Sequence, residues 1–380
     1  MSRVRAHSPQ GVTYVELFFD LVFVYAVTQL TSFVLHDLTW EGVGRAAILF
    51  WLVWWAWTQF TWTLNLADTE HVWVRLSTLA ATAVAFFGAQ SVPDAFGAAG
   101  AWFASSYVIV RLIGLGVQAW VIGYDQRESV TTWASLSLIG LALVLVGGSA
   151  APGTRIWFWL AALVADLISA SRAGRRVWVL EEGHFSERHG LIVIIALGES
   201  LIAAGVASGN VERGGLFAVT TVAAVIATIA LWWTYFGTLH SRFEESMRAQ
   251  DDSTRGRFAR DVFSFWHAAV VAGVIAIAVA FEKAVANPEE TLGMGIALAL
   301  TIGAALYLGG LAAASARAGL DEAVLPRAIV AVIALAATPI VPDSPAWVAL
   351  LVLAVLVVAM DLIETRRLSG DRVPSHYAER

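Results

Sequence analysis

The sequence has no cysteine and little charge. The absence of cysteine among 380 residues excludes disulfide bonds, thiolate metal sites and cysteine nucleophiles. Charged residues make up only 14% of the chain, against about 25% in soluble domains. A glycine-rich phosphate loop, a helical zinc motif and a nucleophile elbow are also absent. We therefore expect no soluble globular fold, no metal, no cofactor and no nucleic-acid binding.

Long apolar runs fill the chain instead, since 58% of the residues are hydrophobic. Each run has roughly 20 residues, which is enough for a helix to cross about 30 Å of hydrocarbon. We predict an all-α polytopic membrane protein with about 12 transmembrane helices. The predicted spans lie at 13–36, 43–66, 72–92, 100–123, 130–149, 154–172, 187–209, 214–239, 259–283, 291–314, 325–341 and 345–364.

The placement of basic residues predicts the orientation. With twelve spans, most of the 24 lysine and arginine residues fall on the side of the N-terminus, and few fall in the loops on the other side. The positive-inside rule then places both termini in the cytoplasm. The first apolar run carries two acids and lacks a small-residue cleavage site, so it is expected to remain as an anchor. The expected location is the bacterial inner membrane.

The two halves of the chain share short matches in the same order. They are WTQF (57–60) with WTYF (233–236), VAF (84–86) with VAF (279–281), and DLI (166–168) with DLI (361–363). Six spans per half is an even number, so the prediction is two parallel six-helix repeats. The predicted units are a first half at 1–172, a cytoplasmic linker at 173–186, a second half at 187–368 and a disordered tail at 369–380.

A carboxylate lies within the seventh predicted span. Glu199 lies eleven residues after Arg188, and this separation places the two side chains on nearly the same helix face. Ser200 is adjacent to Glu199. A charge at mid-membrane costs on the order of 2.5–3.5 kcal/mol on insertion scales, so it should face protein, water or a partner. One interpretation is an ion- or proton-binding site at the midplane. The other is a structural ion pair with Arg111, which lies inside the fourth span, or with Arg188.

Two further polar features lie in the first and ninth spans. Glu16 and Asp20 are four residues apart, so they share a helix face near the N-terminal end of the first span. They form either a salt-bridged pair, with Arg188 or Arg260 as partner, or a gate or entry site for cations. His267 either relays protons or makes an ordinary interhelical hydrogen bond.

Tryptophans crowd the second predicted span. They are Trp51, Trp54, Trp55, Trp57 and Trp62. Because tryptophan favours membrane interfaces, an aromatic belt is the favoured interpretation. The alternative is an aromatic-lined cavity for an apolar or cationic solute.

Two long motifs resemble a known family. ELFFDLVFVYAVTQL (16–30) and HFSERHGLIVIIALGESLIAAG (184–205) are similar to the bacterial low-temperature-requirement A family, and the resemblance extends over almost the whole chain. It implies a multi-spanning bacterial membrane protein. It implies no particular reaction.

The favoured functional prediction is a transporter or channel for a small solute or ion, with proton coupling as one mechanism. Glu199 and Arg111 would form its midplane site, and Glu16 and Asp20 would line the inner vestibule. Its partners would be the lipid bilayer and the solute, whose identity stays open, as does the oligomeric state. The alternatives are an intramembrane enzyme acting on a lipid or isoprenoid, which is less favoured, and a non-transporting sensor or scaffold.

Overall fold

The computed structural model describes residues 5–6, 11–122, 126–210 and 213–370. These residues form fourteen α-helices and no β-strand. The helices are α1 (Tyr14–His36), α2 (Trp40–Leu64), α3 (Val72–Gln90), α4 (Gly100–Val121), α5 (Arg127–Ser149), α6 (Pro152–Ala173), α7 (Glu182–Ala207), α8 (Gly215–Trp232), α9 (His240–Arg248), α10 (Asp252–Ala259), α11 (His267–Ala286), α12 (Gly293–Ala318), α13 (Asp321–Ala336) and α14 (Ala346–Gly370). The predicted tail lies outside the described residues from position 371 onward.

Twelve of these helices coincide with the twelve predicted spans. Among the described residues, ten helices are long and apolar enough to cross a membrane. The two that fall short of this standard are α2 and α13. The 16 residues of α13 extend only about 24 Å. In α2, threonine, glutamine and tryptophan lower the hydropathy, which the fold tolerates because most of that helix is buried among other helices.

The polar stretch between the eighth and ninth predicted spans forms two short helices, α9 and α10. Each is joined to its neighbouring long helix by a π-helical segment, at Trp233–Gly237 after α8 and at Arg260–Trp266 before α11. A π-helical turn holds an extra residue, so it changes the direction of the side chains that follow it. These two segments orient residues of the site described below.

The helices α1, α7 and α11 pack against one another, and we call their shared contact the seam. Helix α1 begins at the same end of the bundle as α7. Asn65, just after α2, binds the backbone of Glu181, just before α7, through two hydrogen bonds of 2.9 Å. Arg5, before α1, pairs with Ala67, two residues after Asn65. We call this end the N-face. Helices α11 and α12 approach closely at Gly273 and Gly303, where an added Cβ on Gly273 would lie 2.6 Å from the Gly303 carbonyl oxygen.

Candidate functional site

The first-span acids and Arg188 meet at the N-face end of the seam. Glu16 and Asp20 lie one turn apart on α1, and both are fully buried. The Arg188 guanidinium of α7 donates to both carboxylates, with Nη1 3.0 Å from Glu16 Oε1 and Nη2 2.5 Å from Asp20 Oδ1. Of the alternatives for this acid pair, the structure shows the salt bridge to Arg188.

Three further groups complete this arrangement. His184 Nε2 lies 3.0 Å from Glu16 Oε1, and the Trp57 indole donates to Asp20 Oδ1 at 2.8 Å. The Thr13 backbone donates to Glu16 Oε2 at 3.0 Å, so the same carboxylate also caps α1. We call Glu16, Asp20, His184 and Arg188 the N-face cluster.

The N-face cluster has two carboxylates on one guanidinium and unused hydrogen-bonding capacity. Glu16 and Asp20, both fully buried, share Arg188 as their arginine partner. Asp20 Oδ2 and Arg188 Nε are both buried without a hydrogen-bond partner. Buried polar atoms are usually paired, so these two atoms leave one acceptor and one donor of the cluster unsatisfied by the described residues.

His267 lies close to this cluster and is fully buried. Its Nδ1 is 2.9 Å from the Val262 carbonyl oxygen, so Nδ1 carries the proton and Nε2 is an acceptor. The Tyr235 hydroxyl donates to that Nε2 at 2.8 Å. His189 has the same tautomer, because its Nδ1 is 2.8 Å from the Phe185 carbonyl oxygen, but its buried Nε2 has no partner. Sequence reasoning singled out His267 and missed Tyr235 and His189.

Arg111 does not pair with Glu199. Its Nη2 lies 3.5 Å from Asp166 Oδ1, and its Nη1 donates to the Tyr107 hydroxyl at 2.5 Å. The predicted midplane pair of Glu199 and Arg111 is therefore wrong. Arg111 finds its counter-charge on α6, within the first half of the chain.

Glu199 lies farther along the seam and is only 3% exposed. Its carboxylate interacts with the Thr28 hydroxyl of α1 and lies within electrostatic range of Glu282 on α11. Glu199 and Arg188 both contact α1, as their shared helix face predicts. The adjacent Ser200 points elsewhere, since its hydroxyl donates to the Leu197 carbonyl at 2.7 Å and lies 3.4 Å from Thr228 of α8.

A second buried charge cluster lies in the last helices, and sequence reasoning did not bring its members together. Arg327 Nη1 of α13 donates to Glu364 of α14 at 2.8 Å, and Arg327 Nη2 donates to the Thr238 hydroxyl at 2.8 Å. One turn away, Asp361 accepts from the Thr234 hydroxyl at 2.8 Å. The signal was the pair of acids three residues apart, 361 and 364, in an otherwise apolar helix.

Three of the five tryptophans predicted to form an aromatic belt lie away from any interface with lipid. Trp54, Trp55 and Trp57 are all buried inside the bundle. A narrow cleft is lined by the indoles of α2, α5 and the α6–α7 connection, together with Thr58, Gln59 and Gln118. The belt interpretation therefore fails for these three residues, and an aromatic-lined cavity for a solute stays a prediction.

An apolar groove of about 1450 Å³ lies between α1, α2, α11 and α12, away from the N-face cluster. The residues that line it include neither a carboxylate nor an imidazole. A lipid-modifying enzyme would need such groups to converge on an opening of this kind. The intramembrane enzyme alternative stays a prediction.

Comparison with known proteins agrees with the helical architecture. The family model described as "Bacterial low temperature requirement A protein (LtrA)" matches residues 11–362. An uncharacterized protein of Rhizobium meliloti (strain 1021) is 31% identical over 320 residues, covering 78% of this chain and 75% of the relative. No solved structure matches. The family match and the apolar helices make this a multi-pass membrane protein, and the chain belongs to the bacterial low temperature requirement A (LtrA) family.

Proposed function

We propose that this protein is a carrier that moves a small solute or ion across the membrane in exchange or in symport with protons. The observation that supports this most directly is the N-face cluster, in which two buried carboxylates share one guanidinium. Ionisable groups within membrane spans are rare and usually belong to ion or proton pathways. Because two carboxylates share a single guanidinium, the cluster offers acidic oxygens on which a proton can be carried.

The seam gives this site a counterpart on the far side of the bundle. Arg188 and Glu199 are separated by eleven residues of α7, or about 16 Å along the helix axis. Glu199, Thr28 and Glu282 gather at the second position, one from each helix of the seam. A solute that crosses along the seam would meet acidic groups near both ends.

An apolar layer separates the two positions. It is formed on α7 by Ile192, Val193, Ala196 and Leu197, all of which are buried. Such a layer blocks a continuous aqueous pore, so it favours a carrier that alternates between two conformations over an open channel.

The proposal includes two six-helix halves that move relative to each other. In the first half, α3 packs against α1 and α4, and in the second half α11 packs in the same way against α7 and α12. Likewise α2 packs against α6 in the first half, and α8 packs against α14 in the second. Each half also contains a buried arginine paired with an acid of its last helix, Arg111 with Asp166 and Arg327 with Glu364. These features support boundaries near 172 and 187. We place the N-face and both termini in the cytoplasm of a bacterial cell, with the chain in the inner membrane, following the positive-inside rule.

The test is proton flux into proteoliposomes, followed with an entrapped pH-sensitive dye under an imposed membrane potential. Glu199→Gln removes the charge of the seam carboxylate and preserves its size, and it is expected to abolish the flux. Glu41→Gln is the matched control, because Glu41 forms an exposed ion pair with Arg45, and it should behave like the parent. A Glu199→Gln protein that is folded and conducts protons at the parental rate would refute the assignment.

A further inference from the structure

We infer that Asp361 is a second proton-binding site of the bundle, where the carboxyl group holds its proton in a hydrogen bond to the Thr234 hydroxyl. Asp361 lies on α14, and Thr234 belongs to the π-helical segment after α8, which packs against α14. The inference goes beyond the proposed function, which concerns the N-face cluster and Glu199.

Asp361 differs from the buried acids that contact a guanidinium group. Those acids are Glu16, Asp20, Asp166 and Glu364. Asp361 is only 6% exposed, and among the described side chains it forms one hydrogen bond, to Thr234. Its second oxygen, Oδ2, is buried without a partner. A carboxylate in such surroundings is costly to keep ionised, and the usual outcome is that it takes up a proton.

Arg327 of α13 lies within electrostatic range of Asp361 but does not pair with it. Its Nη1 donates to Glu364 Oε1 at 2.8 Å and to a carbonyl oxygen of its own helix at 2.9 Å. Its Nη2 donates to the Thr238 hydroxyl at 2.8 Å and to the Thr234 carbonyl oxygen at 3.1 Å. All four terminal N–H groups are therefore engaged by other acceptors, and Glu364 is the acid that Arg327 neutralises.

The Thr234 hydroxyl lies between two oxygens. They are the Ala230 carbonyl oxygen at 2.9 Å and Asp361 Oδ1 at 2.8 Å. A hydroxyl carries a single proton, so it cannot donate fully to both. When Asp361 is ionised, the hydroxyl donates to Oδ1, and the Ala230 carbonyl loses this donor. When Asp361 is protonated, the carboxyl O–H donates to the Thr234 oxygen, and the hydroxyl donates to Ala230. The protonated form thus makes two hydrogen bonds in series where the ionised form makes one.

Proton binding at this site changes few bonds. One O–H bond forms on Asp361 Oδ1, with a proton that comes from water, and the hydrogen bond to Thr234 reverses its direction. Release breaks that O–H bond and returns the proton to water. Because Asp361 is 6% exposed, a proton bound there is shielded from bulk water.

The other titratable groups around Asp361 are already engaged. They are Glu364 of α14, Arg327 of α13, Tyr307 of α12, Tyr235 of the π-helical segment and His267 of α11, and α8 has no ionisable residue. The Tyr307 hydroxyl donates to the Leu231 carbonyl at 2.6 Å, and the Tyr235 hydroxyl donates to His267. Ionising Asp361 would place a second negative charge one turn from Glu364, which also favours the protonated carboxyl group.

The first half of the chain shows the alternative to a proton. Asp166 and Asp361 begin the two DLI matches, so they correspond to each other in the two halves of the proposed function. Asp166 pairs with Arg111, which lies four residues after a buried tyrosine of α4. The buried tyrosine of α12, Tyr307, is followed four residues later by Leu311. The second half therefore lacks this guanidinium, and a proton neutralises Asp361 instead.

The experiment is infrared spectroscopy of the full-length protein in liposomes, which detects the carbonyl stretch of a protonated carboxyl group. The parent should show a carboxylic-acid band that disappears reversibly as the pH is raised, and Asp361→Asn should lack this band. Asp166→Asn is the matched control. Asp166 is paired with Arg111, so its replacement should leave the band in place.

A pair of threonine variants tests the hydrogen bond. Thr234→Val keeps the shape of the side chain and removes the hydroxyl, so the Asp361 band should remain and move to a higher frequency. Thr228→Val is the control, because Thr228 is also buried and its hydroxyl donates to the Ala224 carbonyl oxygen. The band should be unchanged in this control.

The inference is overturned if Asp361→Asn keeps the parental band, or if the band does not respond to pH. Should Asp361→Asn fail to fold, an unshifted band in Thr234→Val overturns it. These spectra do not depend on transport. A parent that has the Asp361 band and moves no protons would refute the carrier and leave the proton site, whereas an inactive Glu199→Gln beside an unchanged Asp361→Asn spectrum would do the reverse.

Discussion

Replacing Arg188 by methionine should destabilise the protein by about 3–5 kcal/mol, the usual result of removing one partner from a buried ion pair. The variant leaves two fully buried carboxylates, Glu16 and Asp20, without their shared guanidinium. Asp20 keeps only the Trp57 indole, whereas Glu16 keeps His184 and the Thr13 backbone. We therefore expect most of the loss to arise at Asp20.

The measurement is the free energy of unfolding in detergent micelles, from far-UV circular dichroism during titration with a denaturing detergent. Arg45→Met is the matched control. Arg45 pairs with Glu41 in an exposed site, so its removal should change stability by about 0–1 kcal/mol. A triple variant, Arg188→Met with Glu16→Gln and Asp20→Asn, removes the stranded charges and should recover much of the lost stability.

The reasoning is refuted if Arg188→Met and Arg45→Met are equally stable. It is also refuted if the triple variant is less stable than Arg188→Met, because the cost would then arise from lost packing around residue 188 and not from unpaired charge.

Two further variants test the packing. Gly273→Val would place the new Cβ 2.5 Å from the backbone nitrogen of Tyr307. It should therefore lower the free energy of unfolding by about 1–3 kcal/mol or more. Gly309→Val is the control, because a Cβ at Gly309 meets open space. Arg155→Gln removes a buried guanidinium that donates to five carbonyl oxygens, in the α3–α4 connection, the last turn of α5 and the α5–α6 connection. It should lower the melting temperature by far more than Arg75→Gln, which breaks only an exposed ion pair.

The charged residues show which contacts could be predicted from the sequence and which could not. Spacing alone predicted that Glu16 and Asp20 share a helix face and that Arg188 and Glu199 share another, and both pairs do so, because helical periodicity fixes directions within one helix. The partner of Arg111 was predicted wrongly. Glu199, Asp166 and other acids within the spans could each have paired with Arg111. The sequence around each acid does not show which of them lies near Arg111 in the folded bundle.

The tryptophans of α2 show the same limit from another direction. Their composition indicated a membrane interface, yet Trp57 is buried beside Asp20 because α2 lies inside the bundle. The type of a residue indicates which environments its side chain tolerates. Its neighbours in the folded structure decide which of these environments it occupies.

The sequence by itself determined the membrane class, the approximate helix positions, the family and the list of ionisable groups, since hydrocarbon imposes length and polarity on every spanning segment. Only the tertiary structure decided which charges neutralise one another. It also decided that Tyr235 faces His267, because that contact joins helices far apart in the chain through two π-helical turns, whose extra residue leaves no clear mark in the sequence.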